Sequence, residues 1–106
     1  MTYSNIPIEF KIFGETIKIK QVKLLDNGKS LGEYQLNGEN KIILATYEGN
    51  EESIEQTLWH ETIHCLLDKM NYDDLNKDEV FVDLLAKCIH QIIKTSKYKK
   101  SKNILK

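Results

Sequence analysis

Residues Ser53 to Met70 have the sequence SIEQTLWHETIHCLLDKM, and the pattern of this stretch decides the predicted fold. Asn50 or Ser53 is a candidate N-cap, and the glutamates around them favour the positive end of a helix dipole. Apolar residues recur along the stretch at the spacing of an α-helix, namely Ile54, Leu58, Trp59, Ile63, Leu66, Leu67 and Met70. The stretch therefore predicts a helix that carries HETIH, residues 60–64, in its middle.

A second helix is predicted from Lys77 to about Lys94, after a polar connection formed by residues 71–76. Its apolar positions also follow the helical period: Val80, Phe81, Leu84, Leu85, Cys88, Ile89, Ile92 and Ile93. If the two helices pack antiparallel, the start of the second faces the later turns of the first.

The first half of the chain has the period of β-strands. Ile6 to Phe13 alternates apolar and polar residues, and the alternation resumes after Gly14-Glu15, which predicts a hairpin with glycine at the first turn position. A second pair of strands is predicted at Gly32 to Leu36 and Lys41 to Tyr47, joined through Asn37 to Asn40. The predicted fold class is α+β, with a small antiparallel sheet packed on the HExxH helix and a second helix closing the site.

Length and composition indicate one ordinary globular domain. The chain has 106 residues, of which 41% are hydrophobic and 29% charged. All 15 basic residues are lysines, and six of them follow Ile93, where no acidic residue occurs; residues 1–93 hold nine lysines against 16 acidic residues, a net charge of −7. The predicted division is a metal-binding domain at 1–96 and a basic, flexible tail at 97–106.

Three features of the sequence favour a cytoplasmic protein. The start, MTYSNIPIEF, lacks the basic leader and apolar segment of a secretory signal. No apolar run reaches membrane-spanning length, so no membrane partner is expected. Cys65 and Cys88 both lie in apolar helical patterns, which is typical of buried thiols rather than of a disulfide framework.

The two histidines of HETIH predict a metal site. Positions i and i+4 of a helix lie one turn apart on one face, so His60 and His64 can present ring nitrogens to a single ion. Glu61 lies about a hundred degrees around the helix, where it can reach a water molecule at the ion as a general base. Two imidazoles and a carboxylate suit zinc, and a hydrolytic zinc site usually has three protein ligands.

The second helix offers the missing ligand. Glu79 and Asp83 are one turn apart; Glu79 is the favoured third ligand, and Asp83 could accept a hydrogen bond from the far ring nitrogen of a ligating histidine. His90, two turns beyond Asp83, is an alternative third ligand. Asp78 and Glu79 could also serve only to complement the helix dipole.

HETIH followed on the next helix by Glu79-x-x-x-Asp83 resembles the zincin metallopeptidases of the gluzincin type. The runs TLWHETIHCLL and DEVFVDLLAKCI are similar to minimal HExxH proteins of phages and prophages and to the ImmA/IrrE group. The resemblance covers about residues 41–93. It implies zinc on His60, His64 and Glu79, Glu61 as the catalytic base, and Asp83 in support of a ligand.

The function expected from this resemblance is hydrolysis of peptide bonds in a protein or peptide substrate, which would pair with the strand around Ile42 to Thr46. The oxyanion stabiliser stays open among Tyr47, Tyr72, Tyr98 and His90. One alternative is a catalytically inert zinc-binding module that contacts another protein. Another is a nucleic-acid accessory protein acting through the lysine tail, a weak signal because the tail has no arginine.

Overall fold

The computed structural model describes residues 3, 5–35, 40–46 and 50–99 and confirms the α+β class. The elements are β1 (Glu9–Ile12), β2 (Glu15–Val22), a 3-10 turn (Asp26–Gly28), β3 (Gly32–Gln35), β4 (Lys41–Ala45), α1 (Glu51–Lys69), α2 (Asp73–Asn76) and α3 (Glu79–Thr95). Among these residues, no helix is both long and apolar enough to cross a membrane. The predicted strand ends at Leu36 and Tyr47, the loop 37–39 and the tail from 100 onward lie outside the described residues.

The four strands form one mixed sheet in the order β1-β2-β4-β3. β1 pairs with β2, and β3 with β4, in antiparallel fashion, whereas β2 and β4 run parallel from Lys18 opposite Lys41 onward. The prediction of a wholly antiparallel sheet is wrong for this central pair. After β2 the chain first forms the outer strand β3 and then returns as β4 between β3 and β2. Alternation of side chains indicates the two faces of a strand but not its neighbours.

The β1–β2 turn differs from the predicted one by one residue. Phe13 and Gly14 are its central residues, with φ angles of 51° and 78°. Glycine therefore occupies the second central position, and Phe13 takes the first in the left-handed region. Two successive positive φ angles match the twist of a two-residue hairpin turn.

The helix α1 lies between the sheet and α3. Ile54, Leu58 and Cys65 are buried in a cluster with the sheet residues. Ile63 and Leu67 are buried in a second cluster that includes Val82 and Ala86 of α3. Burial on two sides explains why α1 has apolar residues on more than one face, whereas α3 covers the domain on one side only.

Side-chain caps fix where the two long helices begin. The Asn50 side chain accepts a hydrogen bond from the backbone N–H of Ser53 at 2.9 Å, so Asn50 is the N-cap of α1. Asp78 caps α3 in the same way through the N–H of Phe81 at 3.1 Å. The connection predicted at 71–76 contains the short helix α2, whose last residue is Asn76. These caps satisfy backbone donors that the first helical turn leaves unpaired.

Candidate metal centre

Two histidines of α1 and the first residue of α3 converge on one point. Glu79 Oε1 lies 3.3 Å from the Nε2 atoms of both His60 and His64. One ligand atom from each of the three residues lies within 4.8 Å of the others, so the group could hold a metal ion. Both histidines are mostly buried, whereas the Glu79 side chain is exposed. The helical period aligns the histidines, and the cap at Asp78 sets Glu79 opposite them.

The spacing of these atoms suits a tetrahedral ion. Bonds of about 2.0–2.1 Å at tetrahedral angles place two ligand atoms about 3.3 Å apart. The observed nitrogen-to-oxygen distance is 3.3 Å for both histidines. Direct N–H···O hydrogen bonds are usually shorter, about 2.9 Å. The two nitrogen-to-oxygen distances therefore match those expected between ligands of a zinc-sized ion.

The far nitrogens of both rings face oxygen acceptors. Nδ1 of His64 donates to Oδ1 of Asn76 at 2.6 Å, and Nδ1 of His60 lies 3.5 Å from Oδ1 of Asp83. A proton held on Nδ1 leaves the Nε2 lone pair directed at the common point. Asp83 also contacts Lys87 at 2.9 Å, and this hydrogen bond, together with the charge of Lys87 and a contact to His60, keeps the pKa of Asp83 below its ordinary range.

Asn76 is a residue of the candidate site that the sequence analysis missed. It ends α2, in the segment predicted as a polar connection, and it approaches His64 only because α2 turns the chain back toward α1. Its position three residues before Glu79 was the available signal. An asparagine in a polar connection has many ordinary explanations, so that signal was weak.

Glu61 lies beside the converging histidines, in the walls of two clefts. One cleft is shared with His60 and Asp83, the other with His64 and Asn76. Burial raises the pKa of the Glu61 carboxyl, and the two histidines, which act to lower it, do not offset this. Within the described part of the chain no hydrogen bond engages this carboxylate. A partly buried, unengaged carboxylate next to a metal site can accept a proton.

The edge strand β3 borders both clefts. Gly32 lines each of them, and among the described strands β3 has β4 as its only neighbour. A Cβ atom on Gly32 would lie 2.6 Å from Cγ2 of Thr57 and 3.2 Å from Cγ of Glu61. Glycine thus allows the strand to pass close to α1. The predicted pairing of substrate with residues 42–46 is wrong, because β4 lies inside the sheet.

His90, the alternative third ligand, lies at a different site. It is buried, and its Nδ1 and Nε2 atoms are 3.0 Å from Gln56 Oε1 and Glu55 Oε1. With Glu52 and Glu55 it forms a second group of residues that could hold a metal ion. However, Nζ of Lys94 already lies 3.1 Å from Oε1 of Glu55. The ammonium group of Lys94 therefore already neutralises the Glu55 carboxylate of this second group.

Among the described residues, no tyrosine offers a free hydroxyl at the candidate metal centre. Tyr98 is exposed beyond the end of α3, whose last residue, Thr95, lies about 24 Å along the helix axis from Glu79 at 1.5 Å per residue. Tyr72 is also exposed and lines neither cleft, and Tyr47 lies outside the described residues. Tyr34 does line the cleft at His64, but its hydroxyl donates to Oδ2 of Asp68 at 2.9 Å.

No family model, curated protein or solved structure matches this chain.

Proposed function

We propose that this protein is a zinc-dependent peptidase that hydrolyses peptide bonds, with His60, His64 and Glu79 as metal ligands. The observation that carries the proposal is the convergence of both Nε2 atoms on the Glu79 carboxylate at 3.3 Å, next to the unengaged carboxylate of Glu61. A structural ion needs only the ligands. A carboxylate that is held beside them without a partner is what hydrolysis requires in addition.

Each side chain has a definite part in the proposed reaction. When bound, zinc supplies a Lewis acid that polarises a carbonyl group and lowers the pKa of water. Glu61 accepts a proton from the water molecule that attacks the peptide carbonyl carbon, and delivers it to the leaving amine nitrogen as the carbon–nitrogen bond breaks. Asp83 and Asn76 hold the protons on the Nδ1 atoms of His60 and His64, so both rings keep their orientation.

The open edge of β3 supports an extended peptide as substrate. No strand in the described part of the chain pairs with its side away from β4, and residues 30–34 border the two clefts that contain Glu61. A peptide added to this edge would place its backbone carbonyls along the row formed by His60, Glu61 and His64. Recognition would then depend mainly on the backbone of the substrate.

A second candidate function is a zinc-binding module that contacts another protein and cuts nothing. The observation that favours it is that no tyrosine with a free hydroxyl lines either cleft among the described residues, since Tyr34, at the cleft beside His64, already donates to Asp68. Peptidases generally need a donor that stabilises the developing oxyanion. Such a module would use the same three ligands.

The first experiment is elemental analysis of untagged protein purified without chelators. We expect about one zinc per chain, and we expect Glu79→Gln to lose most of it because the amide is a poorer ligand. Glu52→Gln is the matched control, since it alters the second possible group and should leave the zinc content unchanged. A metal-free chain that takes up no added zinc would contradict both candidate functions.

The second experiment separates the two functions through Glu61. Glu61→Gln should retain the zinc and reduce the cleavage of an unstructured protein such as casein by about a thousandfold, within the range for loss of a general base. Asp68→Asn is a control on the same helix that lies outside the proposed ligand set. If zinc-loaded wild-type protein and Glu61→Gln cleave equally slowly, the peptidase proposal fails and the binding module is favoured.

A further inference from the structure

One side of α3 carries an exposed apolar row, which we name the α3 row: Val80, Leu84, Cys88 and Ile92. The three aliphatic side chains are 69%, 57% and 62% exposed. None of the four residues lines either cleft at the metal centre. A contiguous exposed row of this kind on a small protein usually marks an interaction surface.

The spacing of the α3 row makes it complementary to a copy of itself. Residues four apart form a continuous ridge on a helix, and identical ridges of two helices can pack into each other's grooves. The row spans about 18 Å at 1.5 Å per residue. With a twofold axis between Leu84 and Cys88, Leu84 of one copy would face Cys88 of the other, and Val80 would face Ile92.

The charges at the two ends of α3 decide in favour of a second copy in antiparallel orientation. Residues 71–83 contain five acidic residues and one lysine, a net charge of −4, whereas residues 84–99 contain four lysines and no acidic residue, a net charge of +4. Two antiparallel copies would therefore bring opposite charges together at both ends. A parallel arrangement would bring like charges together.

We infer that this protein forms a twofold symmetric dimer through the α3 row, with the two α3 helices antiparallel. In this arrangement the exposed side chains of Lys97 and Lys99 lie near the exposed side chains of Asp73 and Asp74 of the second copy. The proposed metal site lies between α1 and α3, where Glu79 of α3 faces His60 and His64 of α1. The dimer uses another side of α3 and therefore leaves both clefts open. The inference is independent of whether the protein is a peptidase.

Sedimentation equilibrium over a range of protein concentrations tests the dimer. We expect twice the mass of a 12.4 kDa chain at high concentration, with a dissociation constant that rises with salt. Leu84→Gln should weaken the dimer at least tenfold, because it removes apolar contact while keeping a similar helix propensity. Ile8→Gln, at a residue that is 78% exposed outside α3, is the matched control and should have no effect.

Charge reversal tests the antiparallel orientation. Lys97→Glu with Lys99→Glu should weaken the dimer several-fold, and adding Asp73→Lys and Asp74→Lys to the same chain should restore it. A monomer at all concentrations would overturn the inference. It would equally be overturned if Leu84→Gln and Ile8→Gln behaved alike, or if the fourfold charge variant associated no better than the double one. Circular dichroism of each variant verifies that the chain is folded.

Discussion

Asn76 links the short helix α2 to the candidate metal centre through one hydrogen bond, in which Nδ1 of His64 and Oδ1 of Asn76 are 2.6 Å apart. Removing such a partner usually lowers metal affinity by about 10- to 100-fold, because the ligand ring loses its preferred tautomer and orientation. We expect Asn76→Ala to weaken zinc binding by at least tenfold in a chelator competition assay. Asn76→Asp keeps an oxygen acceptor and should bind zinc at least as tightly as the wild type. An alanine variant with unchanged affinity would mean that the hydrogen bond does not support the ligand.

Gly32 is the residue that lets β3 approach α1. An added Cβ atom would lie 2.6 Å from Cγ2 of Thr57 and 3.3 Å from the carbonyl oxygen of Ile43. We expect Gly32→Ala to lower the free energy of unfolding by about 1–3 kcal/mol, the usual cost of overpacking. Urea denaturation measures this change.

Thr57→Ser provides the control for this contact. It removes Cγ2 and keeps the hydroxyl that donates to the carbonyl oxygen of Ser53. Part of the lost stability should return when Thr57→Ser is combined with Gly32→Ala. If the double variant is no more stable than expected from the two single changes, Thr57 is not the residue that Gly32 accommodates.

The residues of the candidate site differ in how far sequence could predict them. Helical spacing placed His60 with His64, and Glu79 with Asp83, on shared helix faces, and the resemblance to gluzincins favoured Glu79 over His90 as the third ligand. The structure brings these four side chains together. Asn76 and Gly32 could not be named, because their approach depends on the path of a connection and on the position of a strand relative to a helix. Neither property follows from residue spacing.

The helices α1 and α3 begin at equivalent caps, Asn50 and Asp78, but only the second cap adjoins a proposed ligand. Replacing either cap by alanine should cost about 1 kcal/mol of unfolding free energy. Asp78→Ala should also weaken zinc binding, because the first turn of α3 positions Glu79. Asn50→Ala should leave zinc affinity unchanged, because His60 lies ten residues further along the helix. Thermal unfolding of the metal-free chain and zinc titration, applied to both variants, make the comparison; equal changes in zinc affinity would contradict it.

Elements were predicted better than their arrangement. The predicted ends of both long helices differ from the observed ends by no more than two residues, because apolar periodicity and capping side chains are local signals. The strand segments could also be predicted, because the alternation of apolar and polar residues is a local signal. The helix α2 was not predicted, because four residues provide little periodicity. The parallel pairing of β2 with β4 was not predicted because it depends on β4 entering between two strands that were formed earlier in the chain.

The stability of the whole molecule should depend on pH through Glu55 of α1, which contacts His90 and Lys94 of α3. Burial acts to raise the pKa of Glu55, but hydrogen bonds from His90 and Lys94 and the charge of Lys94 outweigh it, and the pKa is lowered. A lowered pKa in the folded state contributes stability above the ordinary value near pH 4.5. This contribution is lost as the pH falls through the lowered pKa.

Urea denaturation of the metal-free chain at neutral and acidic pH measures this dependence. Glu55→Gln should be less stable than the wild type at neutral pH, and the difference should shrink as the solution is acidified. Glu52, whose exposed carboxylate is 4.0 Å from His90, provides the control. Glu52→Gln should change the pH dependence of the unfolding free energy less than Glu55→Gln does. A constant difference between Glu55→Gln and the wild type at all pH values would show that Glu55 does not titrate in this way.

The order of strands also has a consequence for the folding pathway. Each of the two hairpins, β1–β2 and β3–β4, pairs residues that are close in the chain, whereas Lys18 must find Lys41 for the sheet to join. Local pairs lose little chain entropy on closing, and distant ones lose more, so the two hairpins can form early and separately. The pairing of β2 with β4 then becomes the late step, and the edge strand β3 beside the candidate metal centre acquires its fixed position only when this pairing forms.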